Sequence, residues 1–438
     1  MTRIKYILLS AALLWGAAAH AQDSLAVRRM TLADCLRQGV EANYNVKLAR
    51  TARQIAENNV TNAQFLPEVS LGARQSQDRV GTADHLPQSV DRSRYVTNLV
   101  AADATLSWRL FDGMGMFATH QTQKELLSQG ELNLRNSMER LVADISQQYY
   151  FLITQLDRLK ANRRYLEISN IRYNQALEKY AIGSISGLEM KQAKIDLNAD
   201  SSTYVQQQLL TDNAFVTLNS LMNIDLDAQI ALCDTIVPNE ALSLADLERL
   251  AEENNSQILA ARSGGRLSEL DLRVARSGRY PTLDFNSGYR LNRSSNSSAP
   301  PSYTNLNGFS WGFTASMKIF GGMETGRKIR NARLGVERSE LLYDQTRQQV
   351  MADIRTQFNT YRKNMAMISF VSESADVAML NLEAAVEMYR LGSMSGVEFR
   401  EIQRSYMQAE ERKLDAILQT KATEIDLLYL SGEIFNGL

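Results

Sequence analysis

Apolar and polar residues alternate with period two in four stretches of the chain, and a helical period governs most of the rest. Val100, Ala102, Ala104, Leu106, Trp108 and Leu110 share one face, with Ala101, Asp103, Thr105, Ser107 and Arg109 between them. A weaker alternation covers Val69 to Arg74. Leu283, Phe285, Tyr289 and Leu291 form a third apolar row, and Phe309, Trp311, Phe313, Met317 and Ile319 a fourth. Asp284, Asn286, Arg290, Ser310, Thr314, Ser316 and Lys318 lie opposite. Each stretch predicts a two-faced strand, which suits a half-buried soluble sheet and equally a strand between lipid and water. Aromatic residues at the strand ends fit a membrane-interface girdle. The polar segment with Gly81 and Pro87, and the Ser/Asn/Pro segment from Ser294 to Asn305, predict the connecting loops.

The helical pattern is long and free of proline. Thr31 with Asp34 opens a first helix, the pattern from Asn43 to Asn62 gives a second, and Pro67 turns the chain into a strand. From about Phe117 to Ala181 runs a helix of about 100 Å at 1.5 Å per residue. Its apolar positions Leu134, Met138, Leu141, Ile145, Tyr149, Leu152, Leu156 and Leu159 recur at about 3.6 residues, which implies nearly straight packing. The return helix spans Ser186 to Met222, with a polar middle of Asn198, Asp200, Ser201, Ser202, Thr203 and Gln206 to Gln208. That middle predicts a wet flank. Asn223 to Ser243, with Pro238, reads as a loop-rich crossover.

The whole pattern then repeats. Ser243-Leu244-Ala245-Asp246 echoes Thr31 to Asp34, Pro281 echoes Pro67, and Ile319 to Met323 echoes Leu110 to Met114. Between the two halves of each long hairpin stands the same phrase. Tyr180, Gly183, Ser184, Ser186, Gly187 and Glu189 match Tyr389, Gly392, Ser393, Ser395, Gly396 and Glu398, 209 residues later. Gly183 and Gly392 suit the left-handed residue that closes a helix, and Ser186 and Ser395 suit the N-cap of the next. The repeats are placed at 22–242 and 243–438, with hairpin strands about 67–111 and 281–320 and helical hairpins about 115–222 and 324–431.

Composition narrows the function. Arg3, Lys5, the apolar run Ile7 to Leu14 and the small-residue box Ala19-His20-Ala21 predict a secretory signal over 1–21. No cysteine follows the box, so a lipid anchor is not expected. Removing Arg3 and Lys5 leaves 46 basic and 49 acidic residues, a net charge of −3, which is no nucleic-acid footprint. No later run of about 18 apolar residues predicts a spanning helix, so membrane insertion would use strands. Cys35 and Cys233 lack metal-ligand spacing with the histidines, and a disulfide between them is left open. No metal, cofactor or catalytic residue is expected. The segment Gly321-Gly322-Met323-Glu324-Thr325-Gly326 lacks the lysine of a phosphate loop and follows an amphipathic strand, which argues against a nucleotide enzyme.

The signal, the duplicated plan of short helices, β-hairpin and long helical hairpin, and the Tyr-x-x-Gly-Ser-x-Ser apices together resemble the TolC-like outer-membrane efflux protein family over the mature chain. The resemblance implies a mainly α fold with a small β part. It implies a homotrimer whose strands form a 12-stranded outer-membrane β-barrel, continued by a periplasmic α-barrel. It also implies a passive outer-membrane channel of a tripartite efflux or secretion system, docked to a periplasmic adaptor (membrane fusion protein) and an inner-membrane pump. Physical reasoning supports an oligomer, because four strands cannot close a barrel and the smallest membrane barrels use about eight. By resemblance, Gly183, Ser184, Gly392 and Ser393 are adaptor-docking tips, and Tyr389, Glu398 and Glu401 line the gate. Met394 stands where some relatives carry a basic gate residue, and Gln192 lacks a carboxylate, so an ionic latch of that kind is in doubt here. The alternative is a periplasmic coiled-coil adaptor or scaffold without a pore, though such a chain would carry one hairpin rather than two.

Overall fold

The computed structural model describes residues 28–80, 95–239, 241–297 and 302–437; the signal segment, the loop with Gly81 and Pro87, and residues 298–301 lie outside them. The elements run β1 (Arg28–Met30), α1 (Leu32–Ala42), α2 (Tyr44–Asn59), a 3-10 turn (Ala63–Phe65), β2 (Glu68–Val80), β3 (Tyr95–Phe111), α3 (Gly115–Ala181) and α4 (Gly187–Met222). After β4 (Ile230–Leu232) the order recurs as α5 (Leu244–Asn254), α6 (Ser256–Ser277), β5 (Thr282–Asn296), β6 (Ser302–Ser316), α7 (Glu324–Arg390), α8 (Gly396–Ser431) and a short α9 (Ile434–Gly437). Two compact units result, and both halves of the sequence contribute to each: one holds residues up to 50, 134–258 and 347–438, the other 51–133 and 259–346.

The first unit is built on the apolar stripe of α3. Ile145, Tyr149 and Leu152 are fully buried and pack with Cys35 of α1, Val46 of α2, Leu218 and Met222 of α4, Ile425 of α8 and Ile434. Thr31 caps α1 reciprocally: its hydroxyl accepts from Asp34 N while the Asp34 carboxylate accepts from Thr31 N. Asp234 accepts from Leu32 N at 2.9 Å and from the Tyr149 hydroxyl at 2.7 Å, tying the start of α1 to α3. Burial, then the neighbouring Asp234, push the Tyr149 hydroxyl pKa well up, so it stays a donor.

The crossover is not all loop. β4 pairs in parallel with β1, Arg28 opposite Ile230 and Met30 opposite Leu232. A three-residue strand gives no countable alternation, and its partner lies some 200 residues away, so only tertiary context creates it. Cys35 is buried, Cys233 is exposed, and no disulfide joins them.

The second unit carries an antiparallel sheet in the order β2-β3-β5-β6. The strands outrun their alternating cores. β2 continues through Ser76 and Asp78 to Val80, and β5 and β6 pair up to Asn296 opposite Ser302, inside the stretch expected to be loop. Backbone ladders need no apolar side chain, so polar residues extend the hairpins past the point where the pattern fades. At the other end β6 stops at Ser316, leaving Met317 and Ile319 of the fourth apolar row beyond it. Gly113 and Met114 after β3, and Gly322 and Met323 after β6, all have positive φ. Among the described residues no helix is long and apolar enough to cross a membrane.

Candidate functional site

Both long hairpins reverse through one local design. At the first apex, Gly183 has φ +75° and donates its N–H to Tyr180 O at 2.9 Å, while Ser184 N bonds Lys179 O at 2.8 Å. At the second, Gly392 has φ +77°, donating to Tyr389 O at 3.2 Å, and Ser393 N bonds Met388 O at 3.0 Å. This is the paired closure of a Schellman turn, which needs the left-handed conformation that glycine adopts without strain. Nothing lies within 4 Å of where a Cβ would project from Gly183 or Gly392. The glycines therefore serve the turn and leave open surface above it. Ser186 and Ser395 then cap α4 and α8 by accepting from Glu189 N and Glu398 N.

Beyond the turn the two apices differ. Tyr180 is exposed and lies against Gly187, whereas Tyr389 is buried against Phe399 with ring centroids 5.1 Å apart. Lys179 Nζ sits 4.5 Å above the Tyr389 ring and donates to its backbone oxygen at 3.0 Å. Burial raises the Tyr389 hydroxyl pKa above its ordinary value. Glu398 completes a capping box, its carboxylate accepting from Ser395 N at 3.0 Å and Ser395 Oγ at 2.9 Å. The backbone bond, then the hydroxyl bond, hold its pKa below the usual carboxylate range. Glu401 is exposed, with no hydrogen-bond or ion-pair partner among the described residues. Of the expected gate residues, then, one is buried, one closes a cap and one points a charge at solvent.

Above the apices lies a network that sequence reasoning missed. Asp200 of α4 accepts from Arg400 Nη1 and Nη2 of α8 at 2.7 and 2.8 Å and from Ser169 Oγ of α3 at 2.5 Å. Arg172 of α3 reaches Asp196 of α4 at 2.8 Å, both nearly buried. Gln403 donates to Ser169 Oγ at 2.7 Å and accepts from Arg400 at 3.2 Å. Further along, buried Gln207 donates to Gln155 Oε1 at 2.8 Å. The polar middle of α4 is thus only half wet: Asn198, Ser202, Thr203 and Gln206 are exposed, while Asp200 and Gln207 join helices. The signal lay in the repeat itself, because Asp196, Asp200 and Arg172 have Ser405, Ala409 and Asn381 as counterparts. Of these charges, Asp200 bridges to the second repeat through Arg400, while Arg172 and Asp196 pair within the first.

Comparison with known proteins agrees with this architecture. The sequence pattern of the family described as "Outer membrane efflux protein" matches residues 40–223 and 247–433. Protein CyaE of Bordetella pertussis is 24% identical over 393 residues, covering 88% of this chain and 80% of its own. Outer membrane protein TolC of Vibrio cholerae is 20% identical over 399 residues, covering 90% and 88%. Among solved structures, the CmeC outer membrane channel of Campylobacter jejuni superposes with a TM-score of 0.76 at 18% identity, over 92% of this chain and 86% of that one. The open-state MtrE outer membrane channel of Neisseria gonorrhoeae gives 0.71 at 15% identity, over 92% and 89%.

Proposed function

The chain belongs to the outer membrane efflux protein family, an assignment that puts it in the outer membrane, and from that premise we propose that three copies close a β-barrel and a helical tunnel that together form a passive duct. The observation that carries this is the unfinished sheet. β2 and β6 are its two outer strands, and neither has a second neighbour among the described residues. Open edges in lipid are forbidden by their unpaired backbone groups, so another copy must cover them. The helices argue the same way. α4 leaves Leu188, Ile195, Leu209 and Val216 exposed at intervals of seven or fourteen residues, and α7 leaves Phe370, Val377 and Leu380 exposed. Two different apolar rows on one subunit suit a head-to-tail ring.

In this reading the signal 1–21 is removed and repeats 22–242 and 243–438 each supply one strand hairpin and one helical hairpin. The open surface over Gly183, Ser184, Gly392 and Ser393 receives a periplasmic adaptor, which couples the duct to an inner-membrane pump that supplies the driving force. Three Glu401 carboxylates face the axis near the apices. Tyr389 supports them from within the subunit, and Glu398 fixes the helix that bears Glu401. Light scattering and native mass measurement of detergent-extracted protein should give three chains in an outer-membrane fraction. A monodisperse monomer, or release in a soluble periplasmic extract, would instead favour the scaffold reading.

A further inference from the structure

Arg79 and Arg293 hold the same place in two different hairpins. The base pair Glu68 and Ser107 of the first corresponds to Thr282 and Ser316 of the second, and each arginine stands 11 residues up its strand from that base. Arg79 pairs with Val96, and Arg293 with Val100 and Asn305. Registers and the two-residue alternation put both on the apolar face, with Val69 and Leu71, with Ala104 and Leu106, with Phe285, Tyr289 and Leu291, and with Phe309, Trp311 and Phe313. Among the described strand residues these arginines are the only charged side chains on that face, which holds no acid at all. The opposite face mixes both signs: Glu68, Asp78, Asp103 and Asp284 with Arg74, Arg109 and Arg290. Arg79 and Arg293 are both exposed, and neither has an ion-pair partner among the described residues.

Their height is also defined. From Leu283 to Arg293 the strand climbs about 33 Å at 3.3 Å per residue, or about 25 Å along the membrane normal for a tilt of about 40°. An outer-membrane barrel has an apolar band about 25 Å tall, so the guanidinium groups emerge at the headgroup level of the leaflet farther from the helices. A ring of three chains would carry six of them at one level. Uncompensated arginines at the edge of a lipid-facing band fit phosphate, which a planar guanidinium binds through two parallel N–H bonds.

We propose that Arg79 and Arg293 form a belt that binds phosphate-bearing lipid headgroups of that distal leaflet. The proposal rests on the barrel reading above. The test compares wild type with an Arg79→Gln, Arg293→Gln double variant and an Arg79→Lys, Arg293→Lys control. Each is titrated in detergent with bisphosphorylated lipid A or its dephosphorylated form, and bound lipid is counted by native mass spectrometry. Wild type should retain the phosphorylated lipid at least about tenfold better than the Gln variant, with the Lys control between them. Equal retention by wild type and Gln variant, or equal retention of the two lipids by wild type, overturns the proposal. So does full displacement by millimolar inorganic phosphate, which would mark a site for the free anion. The same spectra report the number of chains, so a failed ring is read separately from failed lipid retention.

Discussion

Asp200 and Arg400 belong to different repeats, yet both terminal nitrogens of the Arg400 guanidinium meet the Asp200 carboxylate, at 2.7 and 2.8 Å, in an almost buried site. The pair bridges α4 to α8, and Ser169 and Gln403 extend it to α3. It has no counterpart in the pseudo-equivalent place, since Ala409 stands where a second aspartate would be. Its effect is to hold the two helical hairpins together by a contact made once per subunit. Removing one partner strands the other charge without water, which costs about 3–5 kcal/mol, whereas replacing both with apolar residues costs far less. Arg400→Met should therefore speed hydrogen exchange of amides near the apices more than the Asp200→Leu, Arg400→Met double variant does. Equal exchange in the two would mean the pair is not a coupled unit.

The tip glycines allow a clean separation of turn and docking. At φ near +75° a side chain with a Cβ is strained by about 1–2 kcal/mol, but the open space above Gly183 and Gly392 means that no clash inside the chain follows. A Gly183→Ala, Gly392→Ala variant should assemble and keep most of its export. A double Gly→Phe variant should assemble equally well and lose export, because bulk now blocks whatever approaches the tips. Export by the Phe variant at normal abundance would remove the docking role.

Long elements were legible in the sequence and short or shared ones were not. Proline-free periodicity located α3 and α4, with ends at Ala181 and Met222. Duplication supplied the second pair without new reasoning. β4 escaped because a three-residue strand has no period, and the outer ends of β5 and β6 escaped because polar residues can pair without announcing it. At the apices, turn chemistry in Gly183, Gly392, Ser186 and Ser395 could be read directly, since those side chains act on their own backbone. The burial of Tyr389 and the Asp200 to Arg400 bridge depend on which helix lies alongside, and local sequence does not encode that.

Glu398 and Glu401 lie three apart on α8, and the structure gives them unequal work. Glu398 is spent on the cap, while Glu401 has no partner among the described residues. Two unit charges about 8 Å apart in water repel by about 0.5 kcal/mol, so a ring of three Glu401 carboxylates, if the proposed trimer forms one, would bias ion passage and attract multivalent cations. Glu401→Gln should weaken cation preference and multivalent block in planar-bilayer recordings, and Glu398→Gln should change them much less. The cap has its own pH signature. Because the folded pKa of Glu398 is lowered, its stabilisation is complete above the unfolded value and fades as pH falls through the folded one. The protection of the Glu398 and Phe399 amides, measured against the intrinsic exchange rate at each pH, should therefore fall in acid in wild type but not in Glu398→Gln. Unchanged selectivity in Glu401→Gln would place the constriction elsewhere.

The last prediction concerns how copies meet. β3 continues to Phe111 because β5 pairs with it there, Trp108 opposite Phe285 and Phe111 opposite Leu283. Its counterpart β6 stops at Ser316, and the matching residues Met317, Ile319 and Phe320 are left exposed. A strand that ends early only where its neighbour is missing fits the proposed ring, in which another copy would supply that neighbour. If the joint between copies repeats the joint between β3 and β5, then β6 meets β2 of the next copy in a defined register. Leu106 opposite Ser287 becomes Ala315 opposite Ala73, and Trp108 opposite Phe285 becomes Met317 opposite Leu71. Directly opposed antiparallel residues have Cα atoms about 4.5–5.5 Å apart, within disulfide reach. In a background with Cys35 and Cys233 replaced by serine, Ala73→Cys with Ala315→Cys should oxidise to a covalent trimer on a denaturing gel. Shifting one partner by two residues, to Gln75→Cys with Ala315→Cys, should cross-link far less. Efficient cross-linking of the shifted pair instead would show that the joint between copies uses a different register from the joint within one.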